Sequence, residues 1–185
     1  MFEITKKDGE GEDYRKAVFV LKAISDDSTR PCMCVLHVEA TRSGSRLVCT
    51  DGRRLHVAEI NQKIPSGEYS CEITKQTVFL KGPVPDIVFP NWRKVVPAKA
   101  LEKGSIDFSK SGLGQKTVQC AQMSIAFHAI LAKTGEVVNL KYLDDLGKEE
   151  WDVYSQEEKH KAILFKHGTD GKESLAVIMP MDLAA

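Results

Sequence analysis

Between Tyr14 and Ile24 the apolar residues Tyr14, Val18, Leu21 and Ile24 recur at helical spacing, while Arg15, Lys16 and Lys22 fall away from that stripe. This amphipathic helix constrains the chain more than any other feature, because a single apolar stripe has to be buried against a second layer. The flanks supply that layer. Phe2 to Thr5 is a short strand candidate, and Asp26, Asp27, Ser28 and Pro31 stop the helix, Pro31 by biasing Arg30 out of the helical region. Met33 to Ala40 and Arg46 to Thr50 read as strands joined through Ser43-Gly44. Asp51-Gly52 signals a tight turn, and Leu55 to Ile60 follows as another strand, so residues 1–62 read as one β-α-β-β-β unit.

The middle is less regular. Glu68 to Ile73 reads as a strand, Thr74 to Leu80 is short and undecided, and Phe89 to Pro97 is an extended or turning, linker-like segment. Ser105 to Ser109 and Lys116 to Leu131 are expected to be meandering strands. Val138 to Leu146, with Leu140, Leu143 and Leu146 at three-residue steps, is expected to be a short helix. Trp151 to Tyr154, Ala162 to Lys166 and Leu175 to Met181 read as closing strands, the last two separated by a turn at His167 to Gly171. The expectation is an α+β fold in one domain over 1–185, with a first unit at 1–62, a divergent middle at 63–137 and a closing half-unit at 138–185.

Composition limits the function. With 26 Lys+Arg against 26 Asp+Glu the formal net charge is zero, which excludes a protein that holds nucleic acid chiefly by bulk positive charge. Met1 to Asp13 lacks the apolar stretch of a signal peptide, and no run approaches the ~18 apolar residues of a membrane helix, so a cytoplasmic protein with no membrane partner is expected. The five cysteines, Cys32, Cys34, Cys49, Cys71 and Cys120, read as reduced thiols. Cys32-Met33-Cys34 beside His37 lacks a second ligand pair at zinc spacing, and alternation puts both cysteines on one face of a strand; core thiols are the ordinary reading, and no metal or cofactor is expected. Ser111 to Thr117 lacks phosphate-loop spacing and reads as a turn, and Glu157 to Lys161 reads as a solvated charged loop. His37, His56, His128, His160 and His167 stand in no motif that pairs a base with a nucleophile, so nothing in the sequence supports an enzyme.

Several stretches together carry a family resemblance. Leu47 to Leu55, with Thr50-Asp51-Gly52-Arg53-Arg54-Leu55, resembles the TDGHRL element of bacterial sliding clamps, the β subunit of DNA polymerase III. In the same order, Phe89 to Pro97 resembles the FPDYRRVLP element, Asn139 to Leu146 the NxxYLLDAL helix, and Ala176 to Leu183 the carboxyl-terminal VMPMRL. Thr29-Arg30-Pro31 before a strand also fits. Arg53 stands where the family has His, Trp92 where it has Tyr, and Asp182 where it has Arg. The chain resembles a shortened or divergent member, as if the first half of one clamp domain were joined through the linker-like segment to the second half of another. Residues 98–138 stand as an insertion or a rebuilt half-domain.

The resemblance implies the sliding-clamp fold (DNA clamp, processivity fold), built from two β-α-β-β-β units, and a non-enzymatic role in DNA replication. It implies a homo-oligomer that encircles or associates with double-stranded DNA and tethers a DNA polymerase or other clamp-binding proteins. Arg15, Lys16 and Lys22 of the first helix, with Lys141 of the second, would face the DNA; their ordinary reading is a solvated helix face. Partners would insert short apolar peptides at Thr50, Gly52, Arg54, Leu55, Pro97, Val177, Met179 and Met181, where Met adapts to different apolar ligands. Two other readings stand beside this one: a clamp-derived adaptor that does not encircle DNA, and an unrecognised cytosolic enzyme, best imagined as thiol-dependent.

Overall fold

The computed structural model describes residues 1–7, 11–108, 116–147, 149–169 and 172–181. The chain divides into two compact units, Met1–Trp92 with Gly168–Ser174 and Arg93–His167 with Leu175–Ala185. The first division falls inside segment 89–97.

Unit 1 opens with strand β1 (Phe2–Thr5) and helix α1 (Glu12–Leu21), followed by β2 (Leu36–Ala40), β3 (Ser45–Thr50), β4 (Arg54–Ile60), β5 (Gly67–Ile73) and β6 (Thr77–Lys81). The strands lie in the order β1-β6-β5-β2-β3-β4. The pairings are antiparallel, with Val48 opposite Val57 between β3 and β4 and Leu36 opposite Tyr69 between β2 and β5. Helix α1 packs on β4, β1, β3 and β6. Its stripe does what the spacing requires: Ala17, Val20 and Leu21 are buried, and Tyr14, Val18 and Ile24 are partly buried, against Leu36, Leu47, Ala58, Ile60, Tyr69 and Leu80. Each fully buried Leu or Ile here contributes roughly 1.5–3 kcal/mol. The Asp13 carboxylate fixes the start of the helix by accepting the Asn61 and Gln62 amides at 3.0 and 2.9 Å.

The expectation of a strand from Met33 needs correcting. Pro31–Met33 is a 3-10 turn, and β2 begins only at Leu36, because Pro31 starts a helical turn as readily as it ends one. Cys32 and Cys34 therefore do not share a strand face. Both are half-buried, whereas Cys49 on β3 is fully buried.

The start of the linker-like segment, Phe89 to Trp92, is strapped to the sheet of unit 1. Phe89 stacks on the His37 ring with centroids 5.0 Å apart, and Trp92 Nε1 donates to Glu39 Oε1 at 3.1 Å. Arg46 lies over the Trp92 ring and also pairs with Glu39 and Glu59. A short 3-10 turn, Trp92–Val95, continues the segment.

Unit 2 contains β7 (Leu101–Asp107), α2 (Lys116–Thr134), α3 (Leu140–Asp144), β8 (Glu150–Ser155) and the greater part of β9 (Ile163–Thr169) and β10 (Lys172–Ile178), whose stretch Gly168–Ser174 falls in unit 1; these strands run in the order β10-β9-β8-β7. The meandering strands expected over Lys116 to Leu131 are instead the helix α2, which packs on α3 and β7. Ala126 and Ile130, four residues apart, are buried while Ile125 is exposed, a helical and not an alternating pattern. Asn139 caps α3, its Oδ1 accepting the Lys141 amide at 2.9 Å. Trp151 is buried and donates from Nε1 to the Leu146 carbonyl at 3.2 Å. The phosphate-loop-like residues 111–115, the turn residues 170–171 and Asp182 lie outside the described residues. The fold is α+β, two sets of antiparallel strands each carrying helices.

Candidate functional site

Both groups of sequence-singled residues can be followed within their own unit. In unit 1 the site is the turn between β3 and β4. Gly52 takes φ 87°, a conformation that suits glycine. The Thr50 hydroxyl accepts the Gly52 amide at 3.1 Å and donates to the Arg54 carbonyl at 2.7 Å. Asp51 Oδ1 accepts the Arg53 and Arg54 amides at 2.9 and 3.0 Å, which closes the turn. Arg54 points inward: its side chain is 6% exposed and bonded to Asp51 Oδ2 at 3.0 Å. Leu55, one residue on, is buried in β4. Of the four unit 1 residues, Thr50 and Gly52 reach the surface, and Arg54 and Leu55 support them from beneath.

Two neighbours were not among the expected site residues. A side chain at position 52 would meet Arg30 Nη1 at 3.4 Å and Met33 Sδ at 3.6 Å. The signal for Met33 was hidden because Cys32-Met33-Cys34 alternates like a strand. Arg53 is exposed at the turn.

In unit 2, Val177 is buried on β10 and Pro97 is half-buried, while Met179 and Met181 are 41% and 44% exposed. The Met181 amide donates to the Val137 carbonyl at 2.7 Å, which ties the chain beyond β10 to the segment leading into α3. Pro180 has no amide to donate, so no ladder continues through it. Leu140 on α3 is 40% exposed, and Val95, Leu101 and Ile125 of this unit are open to solvent as well.

The basic residues differ among themselves. Arg15 and Lys22 are exposed on and just after α1, and Lys141 is exposed on α3 of unit 2. Lys16 is not: its side chain is 13% exposed and held by Glu12 at 2.6 Å, one turn earlier on the same helix. Its charge is locally compensated.

Chemistry of other kinds finds little footing. Burial pushes the Cys71 thiol up to about 12 and raises that of Cys49 as well, so neither favours the reactive thiolate. His56 is buried, stacked on Phe19 at 4.4 Å, with Nδ1 2.8 Å from the Phe19 carbonyl, and desolvation holds it neutral with a pKa of about 4. Among the described residues no group of three His, Cys, Asp or Glu is placed to hold a metal ion, and no helix is long and apolar enough to cross a membrane.

No protein-family model and no curated protein sequence matches the chain. Solved structures do. The DNA polymerase sliding clamp of Pseudomonas aeruginosa is 17% identical with a TM-score of 0.64, over 98% of this chain and 66% of that one. The DNA polymerase III β subunit of Thermotoga maritima is 15% identical with a TM-score of 0.63, over 99% and 65%. The β subunit of Borrelia burgdorferi, in complex with a natural product, is 9% identical with a TM-score of 0.61, over 100% and 64%. The chain thus spans between 64% and 66% of the length of these structures. Identities this low speak for architecture alone, and the architecture is that of the sliding clamps.

Proposed function

We propose that this protein is a DNA sliding clamp-like factor of replication or repair, without catalytic activity of its own, which associates with double-stranded DNA as a cytoplasmic homo-oligomer. The observation that carries the reading is the fold: almost the whole chain superposes on clamp structures. A clamp holds DNA by enclosing it, so modest phosphate contacts suffice, and zero net charge is compatible with sliding. Arg15 and Lys22 are the DNA-facing residues of α1 in this reading, Lys141 adds to them, and Lys16 contributes least because Glu12 holds it. The apolar peptide of a polymerase or other clamp-binding protein is proposed to use the residues expected for it in each unit. These are Thr50, Gly52, Arg54 and Leu55 in unit 1, and Pro97, Val177, Met179 and Met181 in unit 2. The exposed methionines offer the anchors.

Retention on DNA of different topology tests this reading. The protein is expected to stay on circular or end-blocked duplex, to run off linear duplex with free ends, and to sediment as a closed oligomer at micromolar concentration. Equal retention on both forms, with a monomer in sedimentation, would instead establish the adaptor that does not encircle DNA.

A further inference from the structure

Two parts of unit 1 that are far apart in sequence share one side chain. The Arg54 guanidinium holds the turn through Nε to Asp51 Oδ2 at 3.0 Å, and its Nη2 donates to the Lys22 carbonyl just beyond the end of α1. Two residues further along β4, His56 Nδ1 lies 2.8 Å from the Phe19 carbonyl. The last carbonyls of a helix have no donor within the helix. Here β4 provides one donor from Arg54 to the Lys22 carbonyl and another from His56 to the Phe19 carbonyl, which also accepts the Lys22 amide at 3.3 Å.

We infer that Arg54 is a positioning residue that couples the Gly52 turn to the C-terminal end of α1, so that a disturbance at one is transmitted to the other. The guanidinium is planar and its donors have a fixed fork geometry. If the turn moves and Arg54 follows Asp51, Nη2 loses its alignment on the Lys22 carbonyl. Because the side chain is 6% exposed, water does not readily replace the lost bond. A lysine at this position would keep the charge but not the two-acceptor reach. In the reading proposed above, the turn belongs to the peptide site and Lys22 to the DNA-facing helix, and the two surfaces then sense each other. That consequence rests on the proposed function; the coupling itself does not.

Amide hydrogen exchange on the whole protein, with neither DNA nor peptide present, tests it. The reporters are the Lys22, Ala23 and Ile24 amides, which donate to the Phe19, Val20 and Leu21 carbonyls. Asp51→Asn alters a residue of the turn, yet it is expected to reduce protection of those three amides about tenfold, leaving Ala17 and Val38 unchanged. Arg54→Lys is expected to give the same loss, and the Asp51→Asn, Arg54→Lys double variant no more than either alone. Thr50→Val, a milder change at the turn, gives the same pattern at lower amplitude and serves if Asp51→Asn folds poorly. Unchanged protection of the helix end in the turn variants would overturn the coupling. So would a uniform loss over all amides, or effects that multiply in the double variant. Since no ligand takes part, failure of the DNA retention experiment leaves this outcome separate.

Discussion

Helix α1 of unit 1 and helix α2 of unit 2 each follow the first strand of their unit, but they are written with different side chains. In α1 the charged residues Glu12, Asp13, Arg15 and Lys16 surround a narrow apolar stripe, so the helical period shows in the sequence. In α2 the charges are lysines near the ends, and Met123, Ile125 and Phe127 alternate with smaller or polar neighbours over the centre. That stretch satisfies a strand template better than a helical one, so the sequence reads as β-like alternation. The structure shows a helix instead, with Ala126 and Ile130 buried and Ile125 63% exposed. What makes a helix legible is contrast between its faces, and α2 has little.

Opening the core of each unit gives the largest effects. Leu47 is fully buried beneath α1, and Ile130 is fully buried on α2. Leu47→Ala and Ile130→Ala should each cost roughly 2–5 kcal/mol, read as a lowered denaturation midpoint. A midpoint left unchanged by Ile130→Ala would remove α2 from the core and break the comparison.

Acid should separate the units next. His56 lies buried in unit 1, whereas His128 and His160 in unit 2 are exposed. Burial holds the His56 pKa at about 4 against an ordinary 6.5, so the folded state keeps it neutral while the unfolded chain takes up a proton. Stability is therefore complete above 6.5 and declines as pH falls toward 4, by about 3 kcal/mol in all. Denaturant titrations at pH 7.5 and 4.5 should show this decline in the native protein and a much flatter response in His56→Gln. Equal slopes in both would reject the buried neutral imidazole.

The legible and illegible parts follow the same physics. The β-α-β-β-β order of unit 1 could be read because Asp51-Gly52 fixed one hairpin and α1 carried a clear stripe. Strand β6 could not, since Thr77 to Lys81 is short and its turn, Thr74 to Gln76, lacks glycine and proline. The site residues were singled out through their resemblance to clamp motifs, but type alone did not say which would be buried. Leu55 and Met179 both look like anchors in the sequence; one is 2% exposed and the other 41%. Met33 was missed because it belongs to a 3-10 turn that alternates like a strand.

That contrast yields a prediction of intermediate size. Met179→Ala should leave stability within about 0.5 kcal/mol while costing on the order of 1–2 kcal/mol of affinity for a Leu- and Phe-containing peptide, measured by calorimetry. Leu55→Ala and Val177→Ala should do the opposite first, lowering the denaturation midpoint by the equivalent of roughly 2–4 kcal/mol. A Met179→Ala protein that binds the peptide as well as the native one would leave the exposed methionine without that role.

The smallest expected effect is the sharpest test of the helix comparison. In an alternating strand, Met123, Ile125 and Phe127 would share one face, and burying that face would make Ile125 a core residue. In the helix, Ile125 stands away from the buried pair Ala126 and Ile130, with His128 and Ala132 exposed three and seven residues on. Ile125→Gln removes apolar surface that is already in water and places a good helix former on a solvated face. Its effect on stability should lie within about 0.5 kcal/mol, whereas a polar residue forced onto a buried strand face would cost several times that. Denaturant midpoints of Ile125→Gln and Ile130→Ala, measured together, therefore read the period of this segment directly. A large loss in the first and a small one in the second would restore the alternating pattern, and the near-absence of effect in Ile125→Gln is what a helix requires.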